Sequence, residues 1–364
     1  MALREIRRHA GQLLLAGFHG TTVPVELRAL AREFDLGGVV LFARNVESPG
    51  QVAELAFEAS GLGAEWPAWV AVDQEGGRVA RLKRPFTEWP PMITLGRSGD
   101  VALAGRFARA LARELRAVGV TLDFAPVLDV LTNPGNPVIG DRALAEDAAR
   151  VAELGRAIVE AMQEEGVAAC GKHFPGHGDT RVDSHHDLPV VEHPPDRLQA
   201  VEWLPFRAAI EAGVAGIMTA HVLVPSLDEV RPGTLSRHVV TTRLREELGH
   251  EGLIFTDDMD MRAVSGRWAI PDAVVMAAEA GCDAVLICNS GCDVQAAAVE
   301  ALIHAAESDP ALARRLDSAR GRHASAKGRF VPARPARPAD PQALAKTVGS
   351  LEHRLVAAEM AKFA

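Results

Sequence analysis

The chain has 364 residues, 48% hydrophobic and 24% charged, the proportions of a folded globular protein with material for a large core, which exclude a disordered, collagen-like or coiled-coil chain. Thirty-nine basic against 48 acidic residues leave a formal charge of −9, with no long basic run to form the cationic stripe that nucleic acid requires. The longest apolar runs break within about eight residues, against the ~20 of a membrane-spanning helix, so neither a nucleic-acid partner nor a membrane span is expected.

Near the start, the apolar stretch Leu13–Phe18 is too short for the core of a secretion signal and lacks a small-residue cleavage site, so the reading is a cytoplasmic protein. From there, short apolar runs of strand length recur at 12–18, 37–42, 69–74, 120–130, 167–174, 216–222, 253–258 and 284–289. Segments of helical period separate them, among them 23–34, 101–118, 143–166 and 271–281. Eight strands with intervening helices predict an α/β fold, a single (β/α)8 TIM-type barrel. A doubly wound open sheet would carry a glycine-rich phosphate loop after its first strand, and Gly17-Phe18-His19-Gly20 does not match one. Asp73, Asp129, Lys172, His173, His221 and Asp257 fall at the C-terminal ends of the runs, the face on which barrel enzymes build their sites.

Beyond the eighth strand, residues 329–341 form a Pro-rich connector. Residues 342–364 read as a C-terminal helix whose stripe of Leu344, Val348, Leu351, Leu355 and Ala358 docks on the barrel. The predicted organisation is a catalytic barrel over 1–328, the connector, and this helical tail. Cys170, Cys282, Cys288 and Cys292 show no Cys-x-x-Cys pairing and read as small apolar residues, forming neither a disulfide framework nor a zinc knuckle.

The chemistry concentrates after the fifth strand, where five of the 13 histidines fall between 173 and 193. A metal site there is disfavoured, because His173 and His177 would need a helix to share a face and Pro175-Gly176 breaks one. For acid/base work, Asp183 and His185 are spaced so that the carboxylate can take one imidazole N–H and turn the other nitrogen to substrate. Thr256-Asp257-Asp258 ends the seventh strand with adjacent carboxylates, of which strand alternation turns at most one to the mouth. The spacing does not choose between them.

The motifs GGVVLFARN, VDQEGGRVARL, FAPVLDV, NPVIGDR, GKHFPGHGDT with DSHHDLP, IMTAHV and FTDDMDM occur in that order. Together they resemble the bacterial β-N-acetylglucosaminidases of glycoside hydrolase family 3, which trim N-acetylglucosamine from cell-wall muropeptide fragments. The resemblance spans about residues 10 to 300. It implies a retaining hydrolase of terminal β-linked N-acetylglucosamine, with Asp257 as nucleophile, His185 as general acid/base and Asp183 orienting it. It also implies sugar binding by Asp73, Arg81, Arg142, Lys172 and His173, no cofactor and no metal. The substrate implied is a muropeptide or a chitooligosaccharide. Relatives with glucosidase activity often take the acid from a second domain, a place that the DSH loop fills here. Two other readings stand beside this one: a barrel metallohydrolase using the His173 to His186 cluster, and a non-catalytic muropeptide sensor.

Overall fold

The computed structural model describes residues 3–184, 187–335 and 337–364. Its eight strands are β1 (Leu14–Gly17), β2 (Gly38–Leu41), β3 (Trp69–Val72), β4 (Leu122–Asp123), β5 (Ala168–Phe174), β6 (Gly216–Thr219), β7 (Leu253–Asp258) and β8 (Ala284–Ile287). They pair in parallel in sequence order, and β8 closes on β1. Every expected strand run carries one of them. The run at 120–130 departs most, contributing only Leu122–Asp123 to the ladder before the chain leaves the sheet with Asp129 on its irregular part.

The strands are apolar on both sides because both are covered. Leu15, Val40, Trp69, Ala71, Phe124, Cys170, Met218, Phe255 and Leu286 fill the barrel interior. Their neighbours Ala16, Val39, Val70, Ala169, Ile217, Ile254 and Val285 pack outward beneath the helices, as the two-residue period of a strand requires. Three of the helices start at a side-chain cap of this kind: Asp100 accepts from the Leu103 N–H, Asp147 from Arg150 and Ser48 from Gln51.

The helix Pro310–Phe330 crosses the end of the barrel at which the strands begin. Phe330 joins the interior cluster, and the His323 ring bridges the Trp69 indole (3.2 Å) and the Asp283 carbonyl (3.0 Å). The indole can only donate, so Nδ1 of His323 accepts and Nε2 carries the proton. Burial, with Lys327 nearby, pushes this imidazole down to about 4.

The tail differs from a single amphipathic helix. It forms Pro341–Thr347 and Leu351–Met360, broken where Gly349 takes a positive φ and Ser350 caps the second helix. The break resets the phase. Leu344 and Val348 are buried as expected, but Leu351 and Leu355 are exposed, and His353, Ala357 and Met360 are buried instead. His353 Nδ1 lies 2.8 Å from Glu114, whose carboxylate also accepts from Thr87 and from the Gly349 N–H. No described helix is long and apolar enough to cross a membrane.

Candidate active site

The strand ends opposite the 310–330 helix surround a cavity of about 350 Å³. Asp73, Arg81, Arg142, Lys172, His173, Asp183 and Asp257 all line it, brought from β3, β5, β7 and the loops after β3, β4 and β5. His185 and His186 lie outside the described residues. Among the described residues no group of three His, Cys, Asp or Glu side chains is placed to hold a metal ion.

One wall is an alternating chain of charge. Arg81 reaches Asp73 at 3.4 Å, and Lys172 Nζ sits 2.8 Å from Asp73 and 2.6 Å from Glu75. Arg142 holds Glu75 through Nε and Nη2, each at 2.8 Å. Burial opposes the ionised form of Glu75, but Arg142 and Lys172 outweigh it and hold its carboxyl far below the usual range. Burial likewise opposes the Lys172 ammonium, and Asp73 with Glu75 reverses that, raising it above an ordinary lysine. Glu75, Lys172 and Arg142 are therefore ionised throughout the physiological range.

A second wall is built on Asp129. One carboxylate oxygen meets Nδ1 of His173 at 2.6 Å, and the other accepts the His177 N–H at 2.6 Å. Two imidazoles and this N–H keep Asp129 below the usual carboxylate range in spite of its burial. With Nδ1 engaged, Nε2 is the His173 nitrogen left for the cavity. His177 contacts Thr180 Oγ1 (2.7 Å) and Ser184 Oγ (3.1 Å), and burial pushes its imidazole down to about 4, so at neutral pH it is an uncharged brace of the loop carrying Asp183. Asn136, from the loop after β4, donates to the His177 carbonyl at 2.8 Å and to Thr180 Oγ1 at 3.2 Å. Close packing adds to this, since Gly178 lies so near the Val130 backbone that a Cβ would overlap its carbonyl.

The end of β7 forms the third wall. Asp257 and Asp258 both line the cavity, where simple alternation would turn one away. The ladder with β8 shifts register between Phe255 and Asp258, which suspends the alternation there. Their environments separate the two acids. Burial raises Asp257, but His173, His221, the Asp258 N–H and Lys172 together bring it below the usual carboxylate range. Burial and then the Asp260 charge raise Asp258 to about 7. Asp258 is also held by the Cys288 N–H (3.1 Å) and the Asn289 amide (2.8 Å). Lys172 and His173 share the cavity as well, and the peptide between them is cis.

Glu75 is a site residue that the sequence reading missed, and Asp129 and His177, though noticed there, were given no supporting role. Glu75 carried a usable signal, standing two residues from Asp73 on the same strand extension. Asp129 was visible as a strand-end acid without a partner, and nothing local joins it to His173.

A closed parallel barrel with an ionised carboxylate, a second acid near neutrality and a basic wall converging on one cavity at its C-terminal end defines a barrel glycosidase. The sequence match agrees. Residues 5–322 match the model described as "Glycosyl hydrolase family 3 N terminal domain", and the chain belongs to glycosyl hydrolase family 3. It is 40% identical over 288 residues to the beta-hexosaminidase A of Pseudoalteromonas piscicida, covering 73% of this chain but 48% of that one. With the beta-hexosaminidase of Thiobacillus denitrificans it shares 43% identity over 260 residues, 70% of this chain and 72% of the other. A family 3 β-N-acetylglucosaminidase from Paenibacillus sp. strain FPU-7 superimposes with a TM-score of 0.90 at 38% identity, covering 98% of this chain and 68% of that one.

Proposed function

We propose that the protein is a retaining β-N-acetylhexosaminidase removing terminal β-linked N-acetylglucosamine. The observation carrying this reading is the pairing, across one cavity, of a carboxylate kept ionised at Asp257 with a basic wall of Arg81, Lys172 and Arg142. In the proposed cycle the Asp257 carboxylate attacks the anomeric carbon while His185 gives its proton to the departing glycosidic oxygen. A covalent glycosyl ester on Asp257 results. His185, now neutral, then takes a proton from water as that water attacks the anomeric carbon and displaces the Asp257 carboxylate, which frees the sugar with its configuration retained and restores both groups. Asp183, on the loop braced by His177, is assigned to orient His185. Lys172, His173, Arg142, Arg81 and Asp73 are assigned to the sugar hydroxyls and the acetamido oxygen through charge-assisted hydrogen bonds.

Resemblance to enzymes that process cell-wall fragments supports muropeptides as the natural substrate and the cytoplasm as the compartment. Residues 1–328 are proposed as the catalytic unit, with 329–341 as connector and 342–364 as a docked tail. The test is a panel of chromogenic β-glycosides, followed by competition between a disaccharide muropeptide and chitobiose. Cleavage of the N-acetylglucosaminide, lost in Asp257→Ala and strongly reduced in His185→Ala, supports the mechanism. Full activity in Asp257→Ala would refute the nucleophile assignment, and preferential turnover of chitobiose would replace the muropeptide by a chitooligosaccharide.

A further inference from the structure

A second cavity, of about 530 Å³, lies between the helix His238–Glu247, the end of the helix Ile270–Ala280 and the start of the helix Pro310–Phe330. It shares no lining residue with the candidate active site. Arg231, Arg237, Arg245, Arg315 and Arg322 line it, against Glu279 and Asp309. This concentration of positive charge runs counter to the chain as a whole, whose formal charge is −9.

Three of the five arginines converge on one carboxylate. Asp283, fully buried just before β8, takes Arg245 at 2.5 Å on one oxygen, and Arg315 at 3.1 Å with Arg322 at 3.3 Å on the other. The three guanidiniums hold its carboxyl below the usual range in spite of its burial. Asp283 also joins the starts of β7 and β8, giving its N–H to the Ile254 carbonyl at 2.7 Å and accepting the Ile254 N–H at 2.9 Å. That structural task does not need three arginines, because one guanidinium fork satisfies both oxygens of a carboxylate. Surplus charge in a half-buried place is costly. Burial pushes Arg245 down to about 10, and Arg322 with Arg315 adds to the effect against the pull of Asp283.

We infer that this cavity is a binding site for a phosphate dianion, either inorganic phosphate or the phosphate group of a monoester. The charge count selects the class. Asp283, Glu279 and Asp309 answer three of the five guanidiniums, and the excess of two matches a phosphate monoester at neutral pH, which carries about −1.5 to −2. A carboxylate would leave one positive charge unanswered. The donors are also ordered before any ligand arrives, since Asp283 fixes the inner arginines from behind. Arg315 spends two N–H groups, on Asp283 and the Gly281 carbonyl, and Arg322 spends one, on Asp283, out of five each. The side chains of Arg245, Arg315 and Arg322 are 16%, 22% and 28% exposed, open to an ion yet shielded enough for charge-assisted hydrogen bonds to compete with water. Arg231 and Arg237 form no ion pair among the described contacts and supply the outer positive rim. Met276 and Leu312 give the carbon skeleton of a monoester an apolar surface to lie on.

The inference does not depend on which bond the other cavity cleaves. Its test is isothermal titration of the full chain with inorganic phosphate and with glucose 6-phosphate, at constant ionic strength held with chloride. Arg322→Gln and Arg237→Glu are titrated beside the wild type, with melting curves as a folding control. Arg142→Gln is included because the candidate active site also has a basic wall. Saturable binding with a Kd on the order of 1 mM or tighter is expected. It should weaken about tenfold or more in Arg322→Gln and in Arg237→Glu, and stay unchanged in Arg142→Gln. Tighter binding of glucose 6-phosphate than of phosphate would support a monoester as the ligand, and equal binding would support free phosphate. No saturable binding of either up to about 10 mM would overturn the inference. So would a wild-type affinity in both Arg322→Gln and Arg237→Glu, or a loss confined to Arg142→Gln, which would put the ion in the other cavity. Should Arg322→Gln fail to fold, a wild-type affinity in Arg237→Glu overturns it alone.

Discussion

Arg142 meets Glu75 at two points, Nε on one carboxylate oxygen and Nη2 on the other, each at 2.8 Å. Such a fork needs a planar guanidinium. In Arg142→Lys the charge survives but the fork is lost, and Lys172 then shares Glu75 with a mobile point donor. KM for the N-acetylglucosaminide should rise roughly ten- to hundredfold, with little change in the melting temperature. Michaelis kinetics beside a thermal melt check this, and a wild-type KM would show that the fork is dispensable.

The two acids closing β7 should respond differently to the same change. Asp257 is brought below the usual carboxylate range by His173, His221, the Asp258 N–H and Lys172 despite its burial, whereas Asp258 is raised to about 7 and carries hydrogen bonds from Cys288 and Asn289. Asp257→Asn should lose roughly a thousandfold or more in kcat, as removal of a covalent nucleophile does. Asp258→Asn should keep at least about a hundredfold more activity than Asp257→Asn, since an amide preserves the shape and one acceptor. If the larger loss falls on Asp258, the nucleophile assignment belongs one residue further on.

Stability should report His323 through pH. Its folded-state value of about 4 lies below its unfolded value of about 6.5. Between these limits the unfolded chain binds a proton that the folded chain does not, so this group's stabilisation is complete above pH 6.5 and falls as pH drops toward 4. At pH 5 the loss from this one group is about 2 kcal/mol. His323→Gln removes the titration along with the contacts to Trp69 and Asp283. The variant should be less stable than wild type at pH 7, with the gap narrower by about that amount at pH 5. Parallel denaturant melts at the two pH values measure it, and a gap independent of pH would mean that the imidazole is not buried and neutral.

Gly178 leaves no room for a side chain against Val130. In Gly178→Ala the loop bearing Asp183 must shift while the barrel beneath it stays intact. We expect kcat/KM to fall roughly a hundredfold, the scale of an ångström misplacement, with a destabilisation of about 1–3 kcal/mol. A variant as active as wild type would show that the loop adjusts without moving its catalytic groups.

The barrel was legible because its strands, buried on both faces, stand out as apolar runs between amphipathic stretches, and all eight runs carry a strand. Asp73 and Lys172 stood out as ionisable groups at strand ends, whereas Asp257 was separated from Asp258 only by the family resemblance. The supporting partners were harder to read. Asp129 and His173 lie 44 residues apart and meet at 2.6 Å only because β4 and β5 are neighbours. Leu351 and Leu355 misled for a local reason, since the stripe to which they belong passes through Gly349, where the chain turns into the left-handed region and starts a new helix.

The barrel interior is packed solid by side chains such as Trp69, Phe124, Met218 and Phe255, with Phe330 of the helix Pro310–Phe330 added at the far end, so the cavity at the other end has a closed floor. Whatever enters does so end first, and nothing threads through. A cavity of about 350 Å³ at such a dead end has room for the tip of a polymer, not its middle. On the proposed reading the cleaved sugar lies deepest and leaves after the rest of the substrate, an order that the closed floor of the cavity sets and the residues that cut the bond do not.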